Sequence, residues 1–123
     1  MADDGFNLSL LTQLGGPVRS FKAGDIIFRE GDAGTEVFVV KSGRVEVRNG
    51  ERLLDELSDH DLFGEMALVD TSPRSATAVA KTDVEVVPLT EKQFVYLVGE
   101  VPYFALKVMR VMARRLRAQN QAG

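Results

Sequence analysis

The chain has no cysteine and no tryptophan, and His60 is the single histidine among its 123 residues. Without thiols there is neither a disulfide framework nor thiolate chemistry. One imidazole, set in the turn-like stretch Asp59-His60-Asp61, leaves a metal-dependent barrel without its ligands, so that stretch reads as a turn and no metal site is assigned. Long apolar runs are also missing. None approaches the roughly 20 residues of a membrane-spanning helix, and the N-terminus lacks the basic-then-apolar pattern of an export signal. No membrane segment is expected, and the cytoplasm is the expected compartment. A nucleophilic enzyme needs an activated Ser or Cys beside a base, and a phosphodiesterase needs metal ligands; neither set is legible. No catalytic residues and no cofactor are therefore assigned.

What is present suits one soluble domain over residues 1–123: a 45% hydrophobic fraction and a 27% charged fraction, on a chain long enough to bury a core. The net charge of −3 is unevenly spread. Residues 1–100 carry 10 basic and 18 acidic side chains, whereas residues 101–123 carry five basic ones and no acid. A basic segment can signal nucleic acid, but cations near a helix C-terminus also complement its dipole, and the acidic remainder would repel a polyanion. No nucleic-acid partner is expected.

Residues 6–16 suit a short N-terminal helix, with Asn7 as cap, Phe6 and Leu11 as a staple and Gly15-Gly16-Pro17 as its stop. From 17 to 89 the pattern changes to short β-prone runs at 18–22, 26–30, 36–41, 45–47, 51–57, 75–81 and 84–89, separated by turn signals, with Asn49-Gly50 as a hairpin turn. Strands at this spacing predict a small antiparallel β-barrel or jelly roll. Residues 90–119 then read as two helices, giving an α+β fold. Thr90 and Gln93 form a capping box, Leu89 and Phe94 a staple, and Gly99 with Val101-Pro102 breaks the first helix from the second. Val101, Ala105, Val108, Met112 and Leu116 make an apolar stripe along the second helix, widened by Phe104 and Met109. It is expected to pack on the barrel, on a second copy of the chain, or on both.

Residues 63–79, Phe-Gly-Glu-Met-Ala-Leu-Val-Asp-Thr-Ser-Pro-Arg-Ser-Ala-Thr-Ala-Val, concentrate the unusual chemistry. Gly64 and Glu65 open one or two turns of helix, 70–73 break the chain, and Arg74 begins the next strand. Helix amides facing a guanidinium across a tight loop make an anion cradle. A carboxylate in such a cradle can accept from a sugar hydroxyl, so the group as a whole suits a monoanionic sugar phosphate. The plain alternative is an ion pair between Glu65 and Arg74 across a turn.

Phe63-Gly64-Glu65-x-Ala67-Leu68, a variable loop and Pro73-Arg74-x-Ala76-Thr77 resemble the phosphate-binding cassette of cyclic nucleotide-binding domains, here 63–77. Gly24-Asp25-x-Ile27-Phe28-x-Glu30-Gly31-Asp32, followed by a strand and Ser42-Gly43, extends the resemblance over almost the whole chain. Such domains occur in bacterial cyclic nucleotide-regulated channels, cAMP-dependent kinase regulatory subunits and the catabolite activator. The resemblance implies a non-enzymatic receptor for cAMP, or for cGMP, whose ligand meets Phe63, Gly64, Glu65, Met66, Ala67, Arg74, Ser75 and Ala76. Glu65 is implied to bind the ribose 2′-hydroxyl and Arg74 the exocyclic phosphate oxygens. Ser75 departs from the alanine and threonine often associated with cAMP and cGMP preference, and its hydroxyl suits either a guanine contact or a phosphate contact. In the family the last helix closes over the base, which makes Arg114, Leu116 and Arg117 candidate base-capping residues. The C-terminal helix is also the expected surface for a homodimer or an effector. A dimerising scaffold of the same fold without a ligand is the alternative.

Overall fold

Valine dominates the two strands that carry the molecule. In the computed structural model, which describes residues 15–69 and 72–120, β3 (Val37–Ser42) pairs antiparallel with β8 (Val84–Leu89), Val37 opposite Leu89 and Val39 opposite Val87. Side chains alternate across a strand. Phe38, Val40, Val84 and Val86 accordingly enter a core between two sheets, while Val37, Val39, Val87 and Leu89 enter a second core under the helices. A strand pair buried on both faces needs apolar residues at successive positions, and the Val-Phe-Val-Val run of β3 supplies them.

Around that pair, β1 (Arg19–Phe21) and β6 (Leu62–Phe63) complete one sheet in the order β1-β8-β3-β6; β2 (Ile26–Phe28), β7 (Thr77–Ala80), β4 (Val45–Asn49) and β5 (Arg52–Leu57) form the other in the order β2-β7-β4-β5. The second sheet is apolar on one face only: Val45 and Val47 point into the core while Glu46 and Arg48 pair on the outside at 2.9 Å. Of the two expected forms, barrel or jelly roll, the structure takes the second, and the barrel is corrected to two four-stranded sheets packed face to face. β1, β2 and β6 have three, three and two residues, too few to carry a hydrogen-bonded ladder from one sheet to the next. β6 has no counterpart among the expected strands, since two residues leave no alternation to read. The β4–β5 turn falls on Gly50-Glu51, one residue later than expected, because Asn49 pairs with Arg52. Of the helix expected at 6–16, only Gly15 and Gly16 lie within the described residues.

Thr90 caps α1 (Glu91–Glu100) through the expected reciprocal box: its hydroxyl accepts from the Gln93 amide at 3.2 Å and its own amide donates to Gln93 Oε1 at 2.8 Å. After Val101 and Pro102 comes α2 (Tyr103–Asn120). Phe104, Val108 and Val111 bury against β3 and β8, with Phe94 of α1 5.4 Å from Phe104 between ring centroids. The buried line of α2 thus runs 104, 108, 111, 115. Phe104 and Val108 belong to the expected stripe, but Val111 and Arg115 take the places of Met112 and Leu116 one position earlier, and Leu116 is left 59% exposed.

Candidate ligand-binding site

β6 delivers the chain into a left-handed residue at Gly64 (φ 77°). A Cβ there would lie 2.9 Å from Arg74 Nη1 and 3.3 Å from the Glu36 carbonyl, so only glycine fits both the backbone angle and the space. A single 3-10 turn, Glu65–Leu68, follows in place of the expected one or two helical turns. It is closed by the Ala67 amide on the Gly64 carbonyl (3.2 Å), and the Val69 amide donates to the Met66 carbonyl just beyond it (3.0 Å). Asp70 and Thr71 lie outside the described residues. The returning strand is pinned at Arg74, whose amide donates to the Asp32 carbonyl and whose carbonyl accepts from the Gly31 amide, each at 2.8 Å. The β2–β3 loop and the 63–77 segment therefore hold each other in place.

Arg74 is 9% exposed. Its guanidinium lies over Phe28 at 4.2 Å, Nη1 donates to the Gly64 carbonyl at 3.3 Å, and Nε is buried with no hydrogen-bond partner among the described residues. Burial pushes its pKa down from the ordinary arginine value, while Glu36, Asp32 and Glu65 push it back up. An arginine stays charged regardless. An unpartnered N–H on a buried cation is a costly arrangement unless an acceptor is meant to arrive. An anionic oxygen fits it.

Glu65, 3% exposed, does not pair with Arg74. Its Oε1 accepts from Arg115 Nη1 on α2. Arg115 is itself 8% exposed; it donates through Nη2 to the Leu62 carbonyl at 2.6 Å and through Nε to Asp55 Oδ2 at 3.2 Å. The plain alternative of a Glu65–Arg74 ion pair is thereby replaced by a carboxylate tied to the last helix and a guanidinium left for something else.

Between them opens a cavity of about 370 Å³, within the range of small-molecule sites. Gly64, Glu65, Met66, Ala67, Arg74, Ser75, Ala76 and Leu116 all line it. Three expected contact residues do not. Phe63 is fully buried and stacks on Phe38 at 5.2 Å, because its inward position on β6 belongs to the core. Arg114 turns to Asp55, with Nη2 at 2.9 Å from Oδ2. Arg117 is exposed and outside the lining. The corresponding omission is Arg115. Its signal was a cation in phase with Phe104, Val108 and Val111, a buried face on which a charge requires a carboxylate partner. Val47, Leu54 and Met112 add apolar walls. The cavity can thus take a ligand with one anionic end, a hydroxyl within reach of Glu65, and a flat apolar body.

Residues 18–100 match the family model described as the cyclic nucleotide-binding domain. A cyclic AMP receptor protein from Thermus thermophilus is 38% identical over 104 residues, covering 80% of this chain and 48% of the relative. The catabolite activator protein of the same organism superposes with a TM-score of 0.75 and 32% identity over 99% of this chain and 58% of that one. A structure from work on a cyclic-GMP-dependent signalling pathway in bacterial phytopathogenesis superposes with a TM-score of 0.73 and 27% identity, covering 95% of both chains. The chain spans about half the length of the curated relatives it matches, 48% and 52% for two of them.

Proposed function

The chain belongs to the cyclic nucleotide-binding domain family, and from that premise we propose that it is a non-catalytic receptor module for cAMP that reports binding through α2. The observation that carries this reading is the buried Arg74, whose Nε has no hydrogen-bond partner among the described residues and which lines the same cavity as Glu65. Arg74 grips the exocyclic phosphate and the 3-10 turn adds its amides. Glu65 accepts from the 2′-hydroxyl, and Met112 and Leu116 border the base. Ser75, exposed at the cavity rim, favours a phosphate contact, and a single hydroxyl gives little leverage between bases, about 0.5–1.5 kcal/mol. Weak discrimination against cGMP follows, and cGMP is the alternative ligand.

Signalling requires the nucleotide to bind one arrangement of α2 better than another. The lid contacts at Met112 and Leu116 supply that difference, and Val101-Pro102, between the two helices, is the hinge. Arg114 and Arg115 are committed to Asp55, which supports reading the basic helix as structural, with no nucleic-acid role for this domain. Leu106 and Met109 are exposed on α2 and suit a second copy or an effector. No helix among the described residues is long and apolar enough to cross a membrane. We read residues 17–89 as the receptor body and 90–119 as its moving part.

Calorimetric titration with cAMP and cGMP, on protein refolded to remove copurified nucleotide, tests the reading. Saturable binding of cAMP, weakened at least about a hundredfold in Arg74→Ala by loss of a charged phosphate contact, is the expected result. Folded protein that binds neither nucleotide overturns it in favour of the ligand-free scaffold, and equal affinity of Arg74→Ala and parent overturns the site.

A further inference from the structure

Asp55 lies on β5 beside the cavity-lining Leu54 but does not itself line the cavity. Its side chain is nonetheless only 10% exposed, and Oδ2 accepts from Arg114 Nε at 3.0 Å, from Arg114 Nη2 at 2.9 Å and from Arg115 Nε at 3.2 Å. Oδ1 accepts from the Glu56 amide at 3.0 Å, so both carboxylate oxygens have partners. Two consecutive arginines of α2 therefore converge on one carboxylate of β5. Arg115 in turn spreads its donors over three elements: Nε on Asp55, Nη2 on the Leu62 carbonyl of β6, and Nη1 on Glu65 Oε1 of the 3-10 turn.

That division of donors fixes what Arg115 can do to Glu65. A guanidinium facing a single carboxylate prefers two parallel bonds, one to each oxygen. Held through Nε by Asp55, Arg115 meets Glu65 with one N–H and engages one oxygen. We propose that Asp55 is a positioning residue for sugar recognition: it keeps Arg115 end-on to Glu65, so that the second carboxylate oxygen is left to accept from a ribose hydroxyl. The proposal rests on the cyclic-nucleotide reading of the cavity. It assigns selectivity to a residue outside the pocket, on a strand outside the 63–77 segment. Without the Asp55 charge, Arg115 can close on both oxygens of Glu65, and the hydroxyl must compete with a cation for its acceptor.

The test compares cAMP with its 2′-deoxy analogue by calorimetry on the whole chain. The parent is expected to favour cAMP by roughly tenfold, the scale of a hydrogen bond to a charged group. Asp55→Asn keeps the shape and removes the charge. It should bring the ratio close to one by weakening cAMP, while the 2′-deoxy analogue, held by Arg74, stays within about twofold. An unchanged ratio overturns the proposal. Equal weakening of both ligands also overturns it, since that marks a structural role alone. Should Asp55→Asn fail to fold, Asp55→Thr, β-branched as a strand favours, carries the same comparison. In a Glu65→Gln background, Asp55→Asn should leave the ratio where Glu65→Gln alone puts it, and a further fall overturns the proposed route through Glu65. A folded parent that binds neither ligand is a different failure, since it removes the cyclic-nucleotide reading itself and the proposal with it.

Discussion

Gly34 sits half-buried in the loop between β2 and β3, and the space a methyl group would take is filled by Arg74: an added Cβ would fall 2.3 Å from Nε and 2.5 Å from Cζ and Nη2. The obstructing atoms are the far end of a flexible side chain, so Gly34→Ala should cost the fold little, within about 0.5 kcal/mol. The same methyl displaces the guanidinium from its seat over Phe28. Affinity for cAMP should therefore drop by about tenfold or more as charge-assisted contacts are misaligned, while the melting temperature holds. Parallel titration and thermal melts separate the two effects, and unchanged affinity would show that Arg74 does not need its present position. Gly64 would not separate them, because its φ of 77° makes any side chain there a backbone problem as well. Residue by residue, the motif was legible where it is local. Gly64, Glu65, Arg74 and Ser75 lie within twelve positions of one another. Arg115 was not, because it reaches Glu65 only through the placement of a helix fifty residues away.

At the scale of elements, α2 is attached by two different kinds of contact. Phe104, Val108 and Val111 root it in the core beneath β3 and β8, whereas its far end is held by Asp55, Glu65 and the Leu62 carbonyl. Truncating Phe104, 2% exposed and in ring contact with Phe94, should cost roughly 3–5 kcal/mol, read as a lower midpoint in urea. A loss under about 1 kcal/mol would mean that α2 contributes little to the second core. The strands over 18–57 and 75–89 and both C-terminal helices were legible because turn glycines, β-branched runs, the Thr90–Gln93 box and the Val101-Pro102 break are short-range signals. Sheet closure was not. Strand count and spacing suit an open pair of sheets as well as a barrel, and the two- and three-residue edge strands that decide between them carry no periodicity. The phase of the α2 stripe was misread for a similar reason. Counting apolar residues favoured Leu116, whereas the buried Glu65 and the partly buried Asp55 draw the helix face toward Arg115.

For the whole molecule, a ligand that binds only the folded state raises stability by mass action. At a hundred times its dissociation constant cAMP should add about 2.7 kcal/mol, which for a domain of this size is a rise of roughly 8–20 °C in melting temperature. Arg74→Ala, about a hundredfold weaker or more, should gain no more than about 0.4 kcal/mol from the same cAMP concentration, a rise of at most roughly 3 °C. A parent that shows no rise at saturating nucleotide would contradict the receptor reading independently of calorimetry. One feature of the architecture governs how that transition looks. The β3–β8 pair is the common wall of both cores, its alternate side chains filling the space between the sheets on one side and the space under the helices on the other. A slip of one residue in its register would exchange the two sets and spoil both interiors together. Neither interior can therefore be lost while the other survives, and a nucleotide that stabilises the sandwich also stabilises the rooted end of α2, beyond the lid residues that meet it. Melting should be a single cooperative event, with the helices and the sandwich lost at one temperature.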